Sequence, residues 1–306
     1  MIEYQQTIKR IYTVEGKGLH TGASVTMKIM PAPAGHGVIF TRTDLPSTPK
    51  IEALATNVKQ TQRGTVIAKG DASVSTVEHL LSSLYAFGID NVMIEIDGPE
   101  VPILDGSGAR YSQLFGSEPL ETQDKPKEFI EVREAVHYKD EKSGSSISIY
   151  PDNRFSAEVM IDFDSDVLGS QFAVYNQNTD YSVEIAPCRT FVFVHDLVPL
   201  INANLIKGGD LDNAIVIAEN EISGDELEKL EAVFGKSRDG FIEKGYINID
   251  KLKFNNECAR HKLLDLIGDL ALCGKRIKGR VVAHRPGHRI NTETAKILIK
   301  MAKERK

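Results

Sequence analysis

The chain reads as an α+β protein made of two similar units. Alternating apolar and polar residues mark strands in the first part, and a helix and a further strand follow them. A polar, proline-bearing stretch then intervenes, and the same succession begins again. Taken in order, Val25 to Met30 alternate as a half-buried strand. Residues 76–87 place Val77, Leu80, Leu81, Leu84 and Tyr85 on one helical face, and Asn91 to Asp97 alternate again. Gly116 to Lys127, with Pro119 and Pro126, is the expected linker, giving units at 1–122 and 127–306. Phe129 to Val132, Ser146 to Tyr150 and Phe155 to Ile161 restart the strands; a helix over 257–273 and a strand over Gly279 to His284 complete the second unit. Ser223 and Glu226 have the spacing of a capping box at the head of a short acidic helix, so 219–256 is read as a surface insertion.

Composition narrows the functional classes. Of 306 residues, 41% are apolar and 26% charged, a globular balance able to bury a sizeable core. The net charge of −6 and the lack of basic-aromatic stripes argue against nucleic acid, although Lys275 to Lys306 holds eleven Lys and Arg against two Glu and favours an anionic ligand there. Cys188, Cys258 and Cys273 are odd in number and lack C-x-x-C spacing, so reduced thiols and a cytoplasmic protein are expected. No apolar signal region or membrane-length segment is present; any membrane contact is peripheral.

The chemistry concentrates in two short stretches. His261 and Asp265, four apart on the second helix, leave the same face, and Asp269 continues that stripe. Upstream, His79 follows Glu78. Two imidazoles and a carboxylate form the ligand set of a catalytic zinc site, and an adjacent Glu can take a proton from water, which points to a metal-dependent hydrolase. Each part has a plainer reading: a solvated i,i+4 His/Asp pair is worth ~0.2–0.5 kcal/mol and is common, and Ser75 with Glu78 has a capping-box spacing. The same three ligands also describe an iron(II) oxygenase triad, but Glu78 beside His79 suits water activation better.

Taken together and in order, Ser75-Thr-Val-Glu78-His79-Leu, Arg260-His261-Lys262-Leu-Leu-Asp265-Leu-Ile-Gly-Asp269-Leu and Gly287-His288 resemble the LpxC family of UDP-3-O-acyl-N-acetylglucosamine deacetylases. Gly18 to Gly22, Asp90-Asn91, Pro102 to Ser107, Cys188 to Phe191, Gly208-Gly209 and Leu211 to Ala214 support the resemblance, which covers nearly the whole chain. It implies two β-α-α-β domains with helices packed between two sheets, an active site at the domain interface and a role in lipid A biosynthesis.

The resemblance further implies roles for individual residues. His79, His261 and Asp265 hold Zn2+, and Glu78 serves as base. Thr190 supports the oxyanion, and His288 is a catalytic histidine held cationic by Asp269. Lys262, about 100° around the helix from His261, can add positive charge beside it. Asp162 and Phe163 match the uracil stretch, and Arg285 lies where it could meet the diphosphate; Tyr150-Pro151 departs from the basic residue expected nearby. Phe191, Val194, Leu197, Leu205, Ala214 and Val216, in an insertion over about 190–217, are assigned to the acyl passage, with ordinary core as their alternative. The implied substrate is an acylated UDP-sugar. Some family members are fused to a dehydratase, and the basic run Met301 to Lys306 suits a linker as well as a terminus. A UDP-sugar-binding regulatory module without catalysis would need a broken ligand or base position, and none of the matched positions is broken.

Overall fold

The computed structural model describes residues 2–202, 207–209, 213–234, 245–247 and 252–304. In the first half the elements are β1 (Tyr4–Thr7), β2 (Tyr12–Lys17), β3 (Ser24–Pro31), β4 (Val38–Arg42), β5 (Lys50–Glu52), β6 (Val58–Gln60), β7 (Val66–Lys69), β8 (Ala72–Val74), α1 (Glu78–Ala86), β9 (Val92–Ile96), α2 (Ala109–Gly116) and β10 (Glu121–Pro126). The second half begins with β11 (Phe129–Glu131), β12 (Val136–Asp140), β13 (Ser145–Tyr150), β14 (Phe155–Asp162) and β15 (Ser170–Tyr175). It continues through α3 (Tyr181–Glu184), β16 (Phe191–Phe193), α4 (Val194–Asn202), β17 (Ile215–Ala218), α5 (Gly224–Phe234) and β18 (Gly245–Tyr246) to α6 (Glu257–Ala271), β19 (Arg276–His284) and α7 (His288–Glu304).

The two halves repeat one topology. In the first sheet, ordered β2-β3-β9-β4-β5, the last strand β9 enters the centre, antiparallel to β3 and parallel to β4. In the second, β12-β13-β19-β14-β15, β19 does the same between β13 and β14. Alternation drives both: Val25, Met27 and Ile29 of β3 and Val92, Ile94 and Ile96 of β9 turn inward, as do Ala157, Val159 and Ile161 of β14. The region expected to be a linker is not loop throughout, because 121–126 forms β10 and pairs with β1, so the boundary expected at 122 falls inside a strand.

Helices α1 and α6 occupy equivalent places, each leading into the central strand of its sheet, and they pack against each other in one continuous hydrophobic core. Every α1 residue from Glu78 to Tyr85 is buried, as expected of a helix covered on all sides. Gly268 makes the close approach feasible: a Cβ there would lie 2.1 Å from the Glu78 carbonyl oxygen. The capping box considered for Ser75 does not form. Ser75 Oγ donates to the Pro99 carbonyl, Val77 is the N-cap without a side-chain bond, and the Glu78 carboxylate is left for other partners. The Ser223–Glu226 box does form, with Glu226 Oε2 accepting from the Ser223 amide at 2.9 Å.

Candidate active site

At the α1–α6 contact, three donor atoms converge. His79 Nε2 and His261 Nε2 lie 3.7 and 3.3 Å from Asp265 Oδ1, and the two rings stand perpendicular with centroids 5.0 Å apart. A tetrahedral centre with bonds of about 2.0–2.2 Å holds its donors about 3.3–3.6 Å apart, so this spacing suits one metal ion. A second observation agrees: Asp265 Oδ1 is buried and has no hydrogen-bond partner among the described residues, the condition expected of an atom meant for a cation. His79, His261 and Asp265 form the one such cluster among the described residues. The sequence-level alternative of a solvated helix face does not hold, because all three side chains are buried.

The surroundings tune these groups. Burial first, then the neighbouring His261, push the His79 imidazole down to about 3; burial likewise lowers His261, so both favour the neutral form that binds metal. Burial alone would raise Asp265, but His261 and Lys262 outweigh it and hold the carboxyl well below the usual range. Lys262 Nζ donates to Asp265 Oδ2 at 3.0 Å and lies over the Phe191 ring at 5.4 Å. His261 Nδ1 lies 3.0 Å from the Cys188 carbonyl, which fixes the ring with Nε2 toward the cluster.

Glu78 and His288 face each other across the cluster, with Oε1 and Nε2 3.8 Å apart. Burial pushes Glu78 up to about 7; His288 pulls it back, while Asp269 and Asp265 add to the rise. Burial disfavours a charged His288, but Asp269 and Glu78 outweigh it and bring the imidazole up to about 9. Asp269 Oδ2 sits 3.0 Å from His288 Nδ1, and the Asp269 side chain is fully buried.

Residues that the sequence did not single out complete this network. Thr65, from the turn before β7, donates its amide to Glu78 Oε2 at 3.1 Å and its hydroxyl to Asp269 Oδ1 at 2.5 Å. Asn291 Nδ2 donates to Asp269 Oδ2 at 2.9 Å. Asn291 had a readable signal, three residues after His288 on one helix; Thr65 had none, since only the fold brings it to the helices. Thr76, just before α1, takes a positive φ of 56° and donates to Glu100, whose buried carboxylate also accepts from the His20 and Thr21 amides. The Gly18–Gly22 stretch is thereby tied to the start of α1.

A cavity of about 560 Å3 opens over the cluster, within the range of small-molecule sites. Thr190, Phe191, Phe163, Arg285, Leu197, Ala214 and Val216 line it with Glu78, His79, His261, Lys262, Asp265 and His288. Other assignments shift. Val194 is not on the wall but in a small second core with Leu197, Val216, Leu230 and Ile247. Asp162 is not on the wall either; it accepts from Arg285 Nη2 at 3.0 Å. Leu205 lies outside the described residues. Leu200 and Phe193 join the apolar wall, and Asp140, Ser143, Ser145 and Arg289 form a polar end beside Arg285. The stretch read as a surface insertion contributes Leu230 and Ile247 to the second core, so α5 and the turn after β18 brace the apolar wall.

Fold and site together define a two-part α+β protein with a candidate metal centre at the seam of its halves. The chain belongs to the LpxC family: the family described as UDP-3-O-acyl N-acetylglycosamine deacetylase matches residues 5–234 and 240–300. It is 48% identical over 292 residues to a "Bifunctional enzyme LpxC/FabZ" of Bacteroides thetaiotaomicron, covering 95% of this chain and 63% of that protein. A protein of the same description from Porphyromonas gingivalis is 45% identical, with 99% and 66% covered. A "UDP-3-O-acyl-N-acetylglucosamine deacetylase" of Myxococcus xanthus is 38% identical over 288 residues, with 94% and 83% covered. The chain thus spans slightly less than two thirds of the bifunctional relatives. No described helix is long and apolar enough to cross a membrane.

Proposed function

We propose that the chain is a zinc-dependent amidohydrolase that removes the N-acetyl group of UDP-3-O-acyl-N-acetylglucosamine, releasing acetate in lipid A biosynthesis. The observation that carries this reading is the buried His79, His261 and Asp265 set with its unpartnered oxygen, flanked by Glu78 and His288. The deacetylase descriptions of the relatives give the substrate class.

A zinc ion held by the three ligands supplies Lewis acidity and lowers the pKa of water toward ~7. Glu78 accepts the proton of the attacking water, and its raised pKa matches it to work near neutrality. Thr190 Oγ1 and Lys262 Nζ offer a hydrogen bond and a positive charge to the oxyanion. His288, kept cationic by Asp269, gives its Nε2 proton to the departing amine. Phe163 offers a stacking face to the uracil with Asp162 beside it, and Arg285 meets the diphosphate. Phe191, Leu197, Ala214 and Val216 form the acyl wall, with Val194 supporting from behind and Leu205 assigned on sequence alone. Buried reduced thiols fit a cytoplasmic setting, and the LpxC/FabZ relatives support a fused dehydratase in the full-length protein.

The test is metal analysis of purified protein together with acetate release from the acylated UDP-sugar. One zinc per chain and chelator-sensitive turnover are expected; a metal-free protein with full activity would overturn the proposal.

A further inference from the structure

The polar stripe of α6 starts one turn earlier than its chemistry requires. Glu257, His261, Asp265 and Asp269 are each four residues apart, and Glu257, the first residue of the helix, is fully buried. It touches neither the cavity nor the metal-type cluster. Its carboxylate instead accepts four hydrogen bonds. Arg189 gives Nε to Oε1 at 2.8 Å, Nη2 to Oε2 at 3.1 Å and its own amide to Oε1 at 3.1 Å, and the Lys253 amide donates to Oε2 at 2.6 Å. Lys253 Nζ then holds the Pro187 carbonyl at 2.7 Å. Arg189 and Pro187 are thus tied to Glu257 at the N-terminus of α6 and to Lys253 just before it.

What that segment carries gives the anchor its meaning. The Cys188 carbonyl accepts from His261 Nδ1, and so sets which nitrogen His261 turns to the cluster. Thr190, the residue after Arg189, lines the cavity. The bidentate ion pair therefore holds the residue between the Cys188 carbonyl, which orients His261, and Thr190, whose backbone is held further along by Gly106 and Ile215. A guanidinium fork matched to a carboxylate fixes direction as well as distance, which a lysine could not do. Stability alone accounts poorly for the pair, since burying the Glu257 charge beside the partly buried Arg189 gains little over apolar packing unless geometry is gained.

We infer that Glu257 and Arg189 are positioning residues for the metal centre: through the Cys188 carbonyl and Thr190 they set the His261 ring and the oxyanion side of the cavity. This rests on the proposed metal role of His261. The test uses the full chain, stripped of metal and titrated with zinc against a competing chelator, as wild type, Glu257→Gln and Arg189→Lys. Asp90→Asn serves as the control, because Asp90 is part of another interior ion cluster, with Arg276 and Lys127, away from the site.

Loss of the carboxylate or of the fork is expected to weaken zinc binding by about 10–100-fold, the scale of lost outer-shell support. At saturating zinc, kcat falls while KM stays within about twofold, because the ground-state contacts to substrate lie elsewhere. The control loses thermal midpoint without losing zinc affinity. In the metal-free protein, nitrogen-15 spectra should show His261 with its proton on Nδ1 in wild type and a mixture of tautomers in both variants. Wild-type zinc affinity in Glu257→Gln and Arg189→Lys would overturn the inference, even with a lowered midpoint, and so would an unchanged tautomer. Should Glu257→Gln fail to fold, Arg189→Lys and the tautomer measurement still decide. Failure of the wild type itself to bind zinc would instead remove the proposed function on which the inference stands.

Discussion

In the first half of the molecule α1 leads into the central strand β9, and in the second half α6 leads into β19 by the same path. The two helices meet, and each gives part of the cluster: His79 from one, with Glu78 beside it, and His261 and Asp265 from the other. The halves differ in what they insert before that helix. The first adds the small sheet β6-β7-β8, whose approach supplies Thr65 to Glu78 and Asp269 and Thr61, Gln62 and Arg63 to the cavity. The second adds α3 to β18, which supplies Phe191, Leu197, Leu200, Ala214 and Val216. The repeated part of the fold brings the donor cluster together where two equivalent elements touch, and the unrepeated parts give the cavity one polar and one apolar wall.

The severest way to break that equivalence is to remove a proposed metal ligand from either half. His79→Ala and His261→Ala should both strip the metal and the activity. Retention of stoichiometric zinc in either variant, measured by elemental analysis, would show that the two helices do not share one ion.

Next in size is Glu78, the proposed base. Glu78→Ala should keep the metal and lower kcat by about 10²–10⁴-fold, the range of general acid–base catalysis. His261→Ala should differ from it by losing metal, and equal zinc content in the two variants would erase that distinction.

Gly268→Ala tests the contact between the helices itself. A methyl 2.1 Å from the Glu78 carbonyl must push α1 and α6 apart, costing about 1–3 kcal/mol as overpacking does. Calorimetry should show a lowered midpoint together with weaker zinc binding; a drop in midpoint alone would mean that the helices part without opening the site.

Ala214→Phe addresses the apolar wall. If each buried methylene of the acyl chain is worth up to ~0.8 kcal/mol, narrowing the groove should lower kcat/KM for a long-chain substrate more than for a short-chain analogue. An unchanged ratio with a lowered midpoint would return Ala214 to ordinary core.

The smallest expected effect concerns pH and stability. Burial raises the Glu257 carboxyl, but its bonds from Arg189 and the Lys253 amide outweigh this and hold it below the ordinary value. A depressed folded-state pKa gives stability that is fully present above the unfolded value of about 4.3 and is lost as pH falls through the folded one. Glu257→Gln should therefore flatten part of the acid limb of a midpoint-versus-pH curve measured on metal-free protein. Parallel curves would show that Glu257 adds nothing to that limb.

Periodicity and motif spacing determined a good part of this protein. The strands at 25–30, 91–97 and 155–161, the helices near 76–87 and 257–273, and the alignment of His261, Asp265 and Asp269 on one face all follow from local geometry, in which period and capping chemistry act within a few residues. The linker failed as loop because β10 gains its partner β1 from more than a hundred residues away, and Ser75 failed as a cap because the Pro99 carbonyl competes for its hydroxyl. Only the tertiary structure decided that the polar stripe of α6 is buried, that Thr65 links Glu78 to Asp269, and that Val194 sits behind the cavity wall. Burial, unpaired oxygens and shifted acidities belong to contacts between distant segments; a single chain position carries the side chain but not the surroundings that charge, orient or silence it.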